Sequence, residues 1–560
     1  MKKIVSFIMC MCCVATMSIY PLNINNSISV VATSNDKYTY QDWEYSINDD
    51  STITITSYHG TDTDITIPSQ IDGLSVTTIG KSAFWNSNIE SVTIPDTVVE
   101  LKEASFYSCK NLVDVNIPSS VKTIERRAFM WCESLKSIEL PTGIDTIYYG
   151  TFECCSSLES VSIPDTVTSI QLEAFKFCYN LDNVILPDSL KSIGTSAFQY
   201  CTSLKSIAIP NGITQIPNMA FYGDTSLTDV TLSNSITILN NNCFNGCSSL
   251  ESINIPSNLE VIGDSVFSNC SSIQSVEFPD TLTSIGTCAF YSCSTIKEFI
   301  IPNTVNYIGG GAFANCINLE NIVLSESITS IEDGLFNGDT SIKEISIPKS
   351  VTSIGEKSFY GLNITSIQLP DGITTIKNGA FGYCQSLQSI NMPSSLISIG
   401  DYAFEWCNSI DELHLNDGLE TIGKSAFFGC SADNVLVIPK SVKSVGEKAF
   451  YYCKNIKEVK LLGDTLLDEK SFGFCPEYDN ELLPDFEIYG SYGNVSKYCK
   501  ESNIKFNPQD NSLDFNLDSN IDLLDYLSIK SAYMYSNNND DISALNLLLV
   551  KKYILDVIWK

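Results

Sequence analysis

The sequence predicts a mainly β repeat solenoid, and three observations support this fold class. Phenylalanine recurs at 18 positions, and each of the 17 gaps is 22 or 23 residues long. The repeats carry short runs in which apolar β-branched residues alternate with polar ones, as in a strand. Apolar residues make up 44% of the 560-residue chain, which is enough for one continuous core. Stacked repeats must keep their register, because each coil buries its apolar side only against its neighbours.

One repeat unit can be followed from Leu204 to Ser226. Its Leu-x-x-Ile-x-Ile stretch alternates like a strand, and Pro210 with the Asn-Gly after it predicts a turn. A second extended piece, Ile213 to Ile216, leads into an Ala-Phe segment that is too short for more than one helical turn. We therefore expect about 18 coils of 23 residues, each adding a short strand to a parallel sheet with a spacing of roughly 4.8 Å.

Two segments show the repeat pattern most clearly: residues 181–203, LDNVILPDSLKSIGTSAFQYCTS, and residues 387–409, LQSINMPSSLISIGDYAFEWCNS. This pattern resembles the bacterial surface-antigen type of leucine-rich repeat, the BspA-like family, and the resemblance covers about residues 38–506. Asp224 and Asp339 depart from it by replacing its cysteine, and we interpret them as local loop changes. The resemblance implies a role in adhesion or substrate binding.

The domain boundaries follow from where the repeat begins and ends. The predicted parts are a signal peptide (1–32), an N-terminal cap (33–80), the solenoid (81–485), a closing strand-helix-strand cap (486–506), a linker (507–512) and a small module (513–560). Lys2, Lys3 and the apolar run Ile4 to Tyr20 indicate a secretory signal. A retained N-terminal anchor is the alternative, and no later segment is apolar enough to cross a bilayer.

Charge and histidine content exclude several classes of function. With 33 basic and 65 acidic residues the net charge is −32, which disfavours nucleic acids and anionic membranes as partners. His59 and His414 are predicted to be surface residues, since neither stands at a motif spacing from a nucleophile. Residues 418–425 match the letters of a phosphate-binding loop, but Leu419 and Ile422 occupy apolar positions of a coil. We therefore predict that the chain is not an enzyme.

The cysteines follow the repeat. Fourteen of the 21 stand three residues after a repeat phenylalanine. In a secreted chain a disulfide framework is the first hypothesis. Equivalent side chains of stacked coils are parallel and about 4.8 Å apart, however, whereas a disulfide needs Cβ atoms roughly 3.5–4.5 Å apart. We predict a ladder of buried, reduced thiols that fill a narrow turn.

Two surfaces of the solenoid are candidate binding sites. Aromatic residues just after the repeat phenylalanine are expected to align along one flank, where they can stack on sugar rings or anchor a protein; alternatively, they cover neighbouring loops. The candidates are Trp85, Tyr107, Trp131, Tyr200, Tyr222, Tyr383, Trp406 and Tyr451. The second surface is the row of solvent-facing strand positions from Thr93 to His414, whose mixed character suits broad protein contact.

Residues 514–525 carry a calcium-loop pattern. Oxygen-bearing side chains stand at loop positions 1, 3, 5, 9 and 12, and a backbone carbonyl at position 7 completes a set that suits Ca²⁺. An acidic loop ahead of a helix is the alternative. The predicted ligands are Asp514, Asn516, Asp518, Asn520, Asp522 and Asp525.

This loop, the helix after it and a second loop-helix through residues 547–555 resemble a dockerin, an all-α, EF-hand-like module that binds cohesin domains of cellulosome scaffolds. The resemblance implies Ca²⁺ as cofactor and a cohesin-bearing scaffold as partner, although the second loop departs from the ligand pattern. We therefore predict a secreted, non-catalytic binding or adhesion protein, extracellular and associated with a cell surface or cellulosome, whose solenoid contacts proteins or glycans. A polysaccharide-degrading component of such a complex and a structural spacer are the alternatives.

Overall fold

The computed structural model describes residues 37–508, apart from residues 433, 479–480 and 492. Within this part the chain is a β-solenoid of about 18 turns, built from 39 short strands and one helix. The predicted repeat solenoid is therefore confirmed. The predicted module at 513–560 lies outside the described residues.

An antiparallel hairpin begins the solenoid. The six strands of this N-terminal part are β1 (Tyr38–Tyr40), β2 (Trp43–Ile47), β3 (Ile53–Tyr58), β4 (Asp64–Thr66), β5 (Gln70–Ile71) and β6 (Leu74–Ile79). β2 pairs with β3 in antiparallel fashion, and β3 pairs with β6 in parallel. Trp43 and Tyr45 are buried on the hairpin and cover the apolar end of the stack. The switch from antiparallel to parallel pairing at β3 starts the coils.

The Leu-x-x-Ile-x-Ile segments form a first parallel ladder. Paired residues on successive coils occupy the same repeat position, as Ile138 opposite Val161 does. In most coils a proline ends the strand because it lacks a backbone N–H, and the Pro95 carbonyl accepts a turn hydrogen bond from the Val98 N–H at 3.0 Å. The strands are β7 (Ser91–Thr93), β9 (Asp114–Asn116), β11 (Ser137–Glu139), β13 (Ser160–Ser162), β15 (Asn183–Val184), β17 (Ser206–Ala208), β19 (Asp229–Thr231), β21 (Ser252–Ile253), β24 (Glu298–Ile300), β26 (Asn321–Val323), β29 (Ser366–Ile367), β31 (Ser389–Ile390), β34 (Val435–Ile438) and β36 (Glu458–Leu461).

A second parallel ladder follows the turn of each coil. Its strands are two residues long, and the second residue of nearly every strand is a buried Ile, Leu or Val. The strands are β8 (Glu100–Leu101), β10 (Thr123–Ile124), β12 (Thr146–Ile147), β14 (Ser169–Ile170), β16 (Ser192–Ile193), β18 (Gln215–Ile216), β20 (Ile238–Leu239), β22 (Val261–Ile262), β23 (Ser284–Ile285), β25 (Tyr307–Ile308), β27 (Ser330–Ile331), β28 (Ser353–Ile354), β30 (Thr375–Ile376), β32 (Ser398–Ile399), β33 (Thr421–Ile422), β35 (Ser444–Val445) and β37 (Leu466–Leu467).

Turns around the repeat phenylalanine close each coil. Backbone groups bond across neighbouring coils here too: the Phe221 N–H donates to the Cys243 carbonyl at 2.9 Å, and the Gly223 N–H donates to the Asn245 carbonyl at 2.8 Å. All 18 phenylalanines are buried, and successive rings are stacked with centroids 4.8 to 6.0 Å apart. One aromatic column therefore runs through the core, and each ring adds about 1.5–3 kcal/mol of burial energy.

The solenoid ends in a strand, a helix and a strand: β38 (Glu487–Gly490), α1 (Asn494–Ser502) and β39 (Lys505–Pro508). β36, β38 and β39 pair in parallel, so the first ladder continues into this cap. The carboxylate of Asp464 on the last coil accepts the Asn494 N–H at 2.8 Å, which satisfies a free donor at the positive end of α1. Val495, Tyr498 and Cys499 of α1 cover the core.

Candidate functional site

The outward row of the first ladder is solvent-exposed, as its strand periodicity predicts. Ile300 and Val323, which pair in register, are 65% and 57% exposed. Asn254 is used differently, because its amide both donates to the Leu232 carbonyl and accepts the Leu232 N–H, each at 2.8 Å. The row therefore presents one side chain per coil on a regular support, and asparagine at this position also ties two coils together.

The aromatic candidates on the flank differ widely in exposure. Trp85 is 64% exposed and Tyr383 is 36% exposed, whereas Tyr451 is only 8% exposed. The remaining candidates are half-buried: Tyr107, Trp131, Tyr200, Tyr222 and Trp406. A ligand can therefore reach the faces or edges of most of these rings, while Tyr451 mainly supports its neighbours.

Ring contacts divide the flank into two clusters. In the central cluster, Phe177 stacks on Tyr200 at 5.4 Å and Tyr222 meets Tyr200 edge-on at 5.4 Å. The C-terminal cluster is larger and contains Trp406, Phe428, Tyr451 and Tyr452, with centroid distances of 5.3 to 6.3 Å. Tyr360 and Tyr383 form a separate pair at 5.2 Å. The sequence periodicity predicted a row, and the structure groups its rings into patches that span two or three coils.

Several of these aromatics stand at a left-handed backbone position. Trp131, Tyr200 and Trp406 have φ of 66°, 60° and 58°, a region that bulky side chains seldom adopt. For two of them, the equivalent position on the next coil is a glycine: Gly223 corresponds to Tyr200, and Gly429 corresponds to Trp406. A Cβ on Gly223 would come within 2.5 Å of the Tyr200 ring, and one on Gly429 within 2.7 Å of the Trp406 ring. Each ring therefore lies directly over the backbone of the following coil, which gives the rings a packing role beside any role in binding.

Lysines lie over the rings but are paired with carboxylates. The Lys454 ammonium is 4.5 Å from the Tyr452 ring centroid and 2.7 Å from the Glu477 carboxylate. Lys176 lies 5.2 Å from the Phe177 ring and 2.6 Å from Glu173. Because a carboxylate accompanies each of these two ammonium groups, the central and C-terminal clusters offer aromatic faces without a strong local charge there.

A buried glutamate interrupts the aromatic flank at Phe152. Glu153 is 7% exposed, and burial raises the pKa of its carboxyl to about 7, with Glu173 adding to the shift. Arg127 opposes this shift, and its guanidinium donates to the Tyr149 hydroxyl at 3.1 Å. Sequence reasoning overlooked this group, because the position after the repeat phenylalanine varies from coil to coil and carries a second acid at Glu405. Its Oε2 is buried and has no hydrogen-bond partner among the described residues, so ionisation of this carboxyl affects local stability.

The side chains of the cysteine column are buried, as predicted. All 18 cysteines between residues 37 and 508 are free, and 17 of them are buried. In 13 coils the thiol donates to the carbonyl of a phenylalanine on the preceding coil, as Cys247 does to Phe221 at 3.2 Å. Cysteine recurs here because it is small, apolar and still able to donate a hydrogen bond.

Asp224 and Asp339 are not the loop changes that the sequence suggested. Both coils keep the full length of the repeat, and both carboxyl groups are 0% exposed in the thiol column. Their Oδ1 atoms accept backbone N–H groups of Cys201 and Cys316, at 2.8 and 2.7 Å. The expectation of a local loop change was wrong because the stacking register keeps both residues in the column and carries them into the core.

The weaker sequence signals have structural explanations. His59 and His414 are exposed, as predicted. In the segment 418–425, Leu419 and Ile422 are buried and a turn follows instead of a helix, so this is an ordinary coil. Between residues 37 and 508, no group of three or more His, Cys, Asp or Glu side chains is arranged to hold a metal ion. The predicted calcium ligands, Asp514 to Asp525, lie outside the described residues.

Comparison with protein families assigns the repeats. The family model described as "BspA type Leucine rich repeat region (6 copies)" matches residues 77–185, 168–294, 262–388 and 374–487 in overlapping stretches. The chain belongs to this family. BspA-type proteins are typically non-catalytic binding proteins of the cell surface or the extracellular space. In the part of this BspA-type chain that the structure describes, no helix is long and apolar enough to cross a membrane.

Solved structures with similar chains are also leucine-rich repeat proteins. A leucine-rich repeat protein from Bacteroides ovatus is 25% identical, with 84% of this chain and all of that chain covered and a TM-score of 0.46. A leucine rich cell surface protein from Faecalibacterium prausnitzii is 29% identical, with 64% and 95% covered and a TM-score of 0.37. The comparison with curated proteins found no match.

Proposed function

We propose that this BspA-type protein is secreted and binds a protein or glycan through its solenoid, while a C-terminal calcium module attaches it to a cohesin-bearing scaffold. The observation that carries the solenoid part is the outward row of the first ladder. It repeats one exposed side chain per coil across successive coils, at the roughly 4.8 Å spacing of paired strands. Such a surface suits an extended partner better than a small molecule.

The aromatic patches support a glycan among the ligands of this protein. Sugar rings stack on exposed aromatic faces, and the C-terminal cluster offers Trp406 beside Phe428 at 5.3 Å. Its lysines are paired with carboxylates, which favours a neutral glycan over an anionic one. A protein ligand would instead use the outward row, where apolar Ile300 and Val323 adjoin polar neighbours.

Two sets of substitutions distinguish these surfaces in the full-length protein. Binding is measured against a panel of polysaccharides and purified extracellular proteins. The pair Trp131→Ala and Trp406→Ala should weaken glycan binding at least tenfold, and the pair Ile300→Ser and Val323→Ser should weaken protein binding. Tyr307→Ala is the matched control, because this exposed tyrosine lies on the second ladder. Unchanged binding by the first pair removes the aromatic flank from the proposal.

The calcium module rests on the ligand pattern of residues 514–525 alone. Asp514, Asp518 and Asp522 would supply carboxylates, and neutralisation of their mutual repulsion by Ca²⁺ would order the loop. The ordered module would then present its helices to a cohesin domain. The neighbouring Asp540 and Asp541 lie outside this ligand pattern and provide matched control positions.

A pull-down with immobilised cohesin tests the attachment. Residues 33–560 should capture cohesin with Ca²⁺ and lose it with EGTA, and Asp514→Asn with Asp518→Asn should reproduce the loss. Asp540→Asn with Asp541→Asn should bind normally. A calcium-replete protein that captures no cohesin contradicts the attachment, and release of reducing sugar by the purified protein contradicts the non-catalytic role.

A further inference from the structure

Two coils of the solenoid carry the same unusual sequence. Gly-Asp-Thr-Ser occurs at residues 223–226 and again at 338–341, five coils later. In both, the aspartate takes the position at which the other coils mostly carry a thiol. The Thr225 N–H donates to the Gly223 carbonyl at 2.9 Å, and Thr340 repeats this contact with Gly338 at 3.0 Å. The same contact occurs in a cysteine coil, where the Ser248 N–H donates to the Gly246 carbonyl at 2.8 Å, so each aspartate occupies an ordinary turn of the column.

The hydrogen bonds around the two carboxyl groups are incomplete. Oδ1 of each accepts one backbone N–H, but Oδ2 of each is buried and has no hydrogen-bond partner among the described residues. In the coils on either side of Asp224, the thiols of Cys201 and Cys247 donate to the carbonyls of Phe175 and Phe221. The register places the Phe198 carbonyl in the same relation to Asp224. A carboxylate, which has no proton, cannot make this bond.

Among the described residues, no cation compensates a negative charge at either position. The titratable groups that face Asp224 from the packed coils are the thiols of Cys201 and Cys247. Asp339 faces Cys316 on the preceding coil, and the following coil carries Leu362 in the column. Burial raises the pKa of both carboxyl groups well above its usual range. In this apolar column, a charged carboxylate would be stabilised only by a single N–H donor.

We propose that Asp224 and Asp339 are neutral carboxylic acids in the folded protein, that each Oδ2 proton replaces the missing thiol donor, and that these two coils therefore open when alkali removes the proton. The folded state holds each proton more tightly than the unfolded state, where aspartate ionises at its ordinary pKa. The stabilisation that these two groups contribute is therefore fully present at acid pH, and it decreases as pH rises. Between the unfolded and folded pKa, the open population of either coil rises about tenfold per pH unit.

Infrared spectroscopy of the full-length protein tests the protonation directly. At pH 8 the folded protein should show the carbonyl stretch of protonated carboxylic acid, and the double variant Asp224→Asn and Asp339→Asn should lose it. Asp280→Asn is the control, since Asp280 is exposed. Both proteins carry Glu153→Gln, because this buried carboxyl has a pKa of about 7 and would add a band of its own. In that background, absence of the band at pH 8 from the protein with both aspartates, or an undiminished band in the double variant, overturns the proposal.

The pH dependence of unfolding tests the consequence. Asparagine matches aspartate in shape and donates through its amide at every pH, so the double variant should lose less stability than wild type between pH 6 and pH 9. The 18 thiols and the other acids are common to both chains and cancel in the difference. If the urea midpoints of wild type and the double variant change with pH in the same way, the proposal is overturned. If the asparagine variant does not fold, the substitutions Asp224→Cys and Asp339→Cys restore the usual column and should give the same flatter profile.

Discussion

Cys288 is expected to be the first thiol of the folded protein to react with an aromatic disulfide reagent. It is the one partly exposed cysteine between residues 37 and 508, and its Sγ makes only a long contact of 3.8 Å with the Gly310 carbonyl. The column thiols differ, because each is buried and most donate a hydrogen bond to a carbonyl. Reaction requires the thiolate, so both exposure and pKa control the rate.

The size of the difference follows from the pKa values. Burial raises the pKa of the Cys109 thiol from its ordinary 9.0 to about 12. At pH 8 this lowers the thiolate fraction about a thousandfold relative to an ordinary thiol. Partial burial and Asp264 also raise the pKa of Cys288, so its advantage in thiolate fraction is smaller than this factor and its exposure to the reagent supplies the rest. Native protein should therefore show one fast thiol, followed by reaction of the others at the rate at which the coils open. Under denaturing, non-reducing conditions, all 18 thiols of residues 33–560 should react with the reagent.

Two variants identify which cysteine gives the fast phase of the thiol reaction. Cys288→Ser should remove the fast phase, and Cys109→Ser should leave it intact while lowering the denatured total by one. Fewer than 18 thiols in the denatured, unreduced protein would reveal disulfides and refute the thiol column. Several fast thiols in the native protein would refute the burial argument.

Three further predictions concern stability in urea denaturation. Phe267→Ala removes a ring stacked between neighbours at 5.8 and 5.3 Å and should cost about 3–5 kcal/mol, and a loss below about 1 kcal/mol would contradict the aromatic column. Gly223→Ala places a Cβ at φ 77° against the Tyr200 ring and should cost about 1–3 kcal/mol of stability. Adding Tyr200→Ala should recover part of this loss, and no recovery would show that the clash with the ring is absent. Glu153→Gln should flatten the dependence of stability on pH. Because the pKa of Glu153 is about 7, wild type should lose about 3 kcal/mol of stability relative to the variant between pH 4 and pH 9. Equal pH profiles of the two proteins would place this carboxyl in solvent.

The repeat pattern predicted the parts of the fold that depend on local alternation and register. The apolar positions of the unit at 204–226 are buried as expected, and the strand β18 lies within the predicted extended piece. The pattern could not predict that this second piece pairs into its own ladder, because two residues carry too little alternation to indicate a strand. Nor could it predict how far the rings of Trp406 and Tyr451 reach solvent, since that depends on the neighbouring coils.

The sequence by itself determined a solenoid of about 18 coils, because a period of 22 to 23 residues can be satisfied only when each coil buries its apolar side against the next. It also determined that the cysteines form a column, since their spacing follows the same period. Only the tertiary structure decided what each column position does. Stacking turned most cysteines into donors to a phenylalanine carbonyl, and it carried Asp224 and Asp339 into the same column without a second partner. The difference is physical: periodicity specifies which positions face inward, whereas hydrogen-bond partners are supplied by residues one coil away.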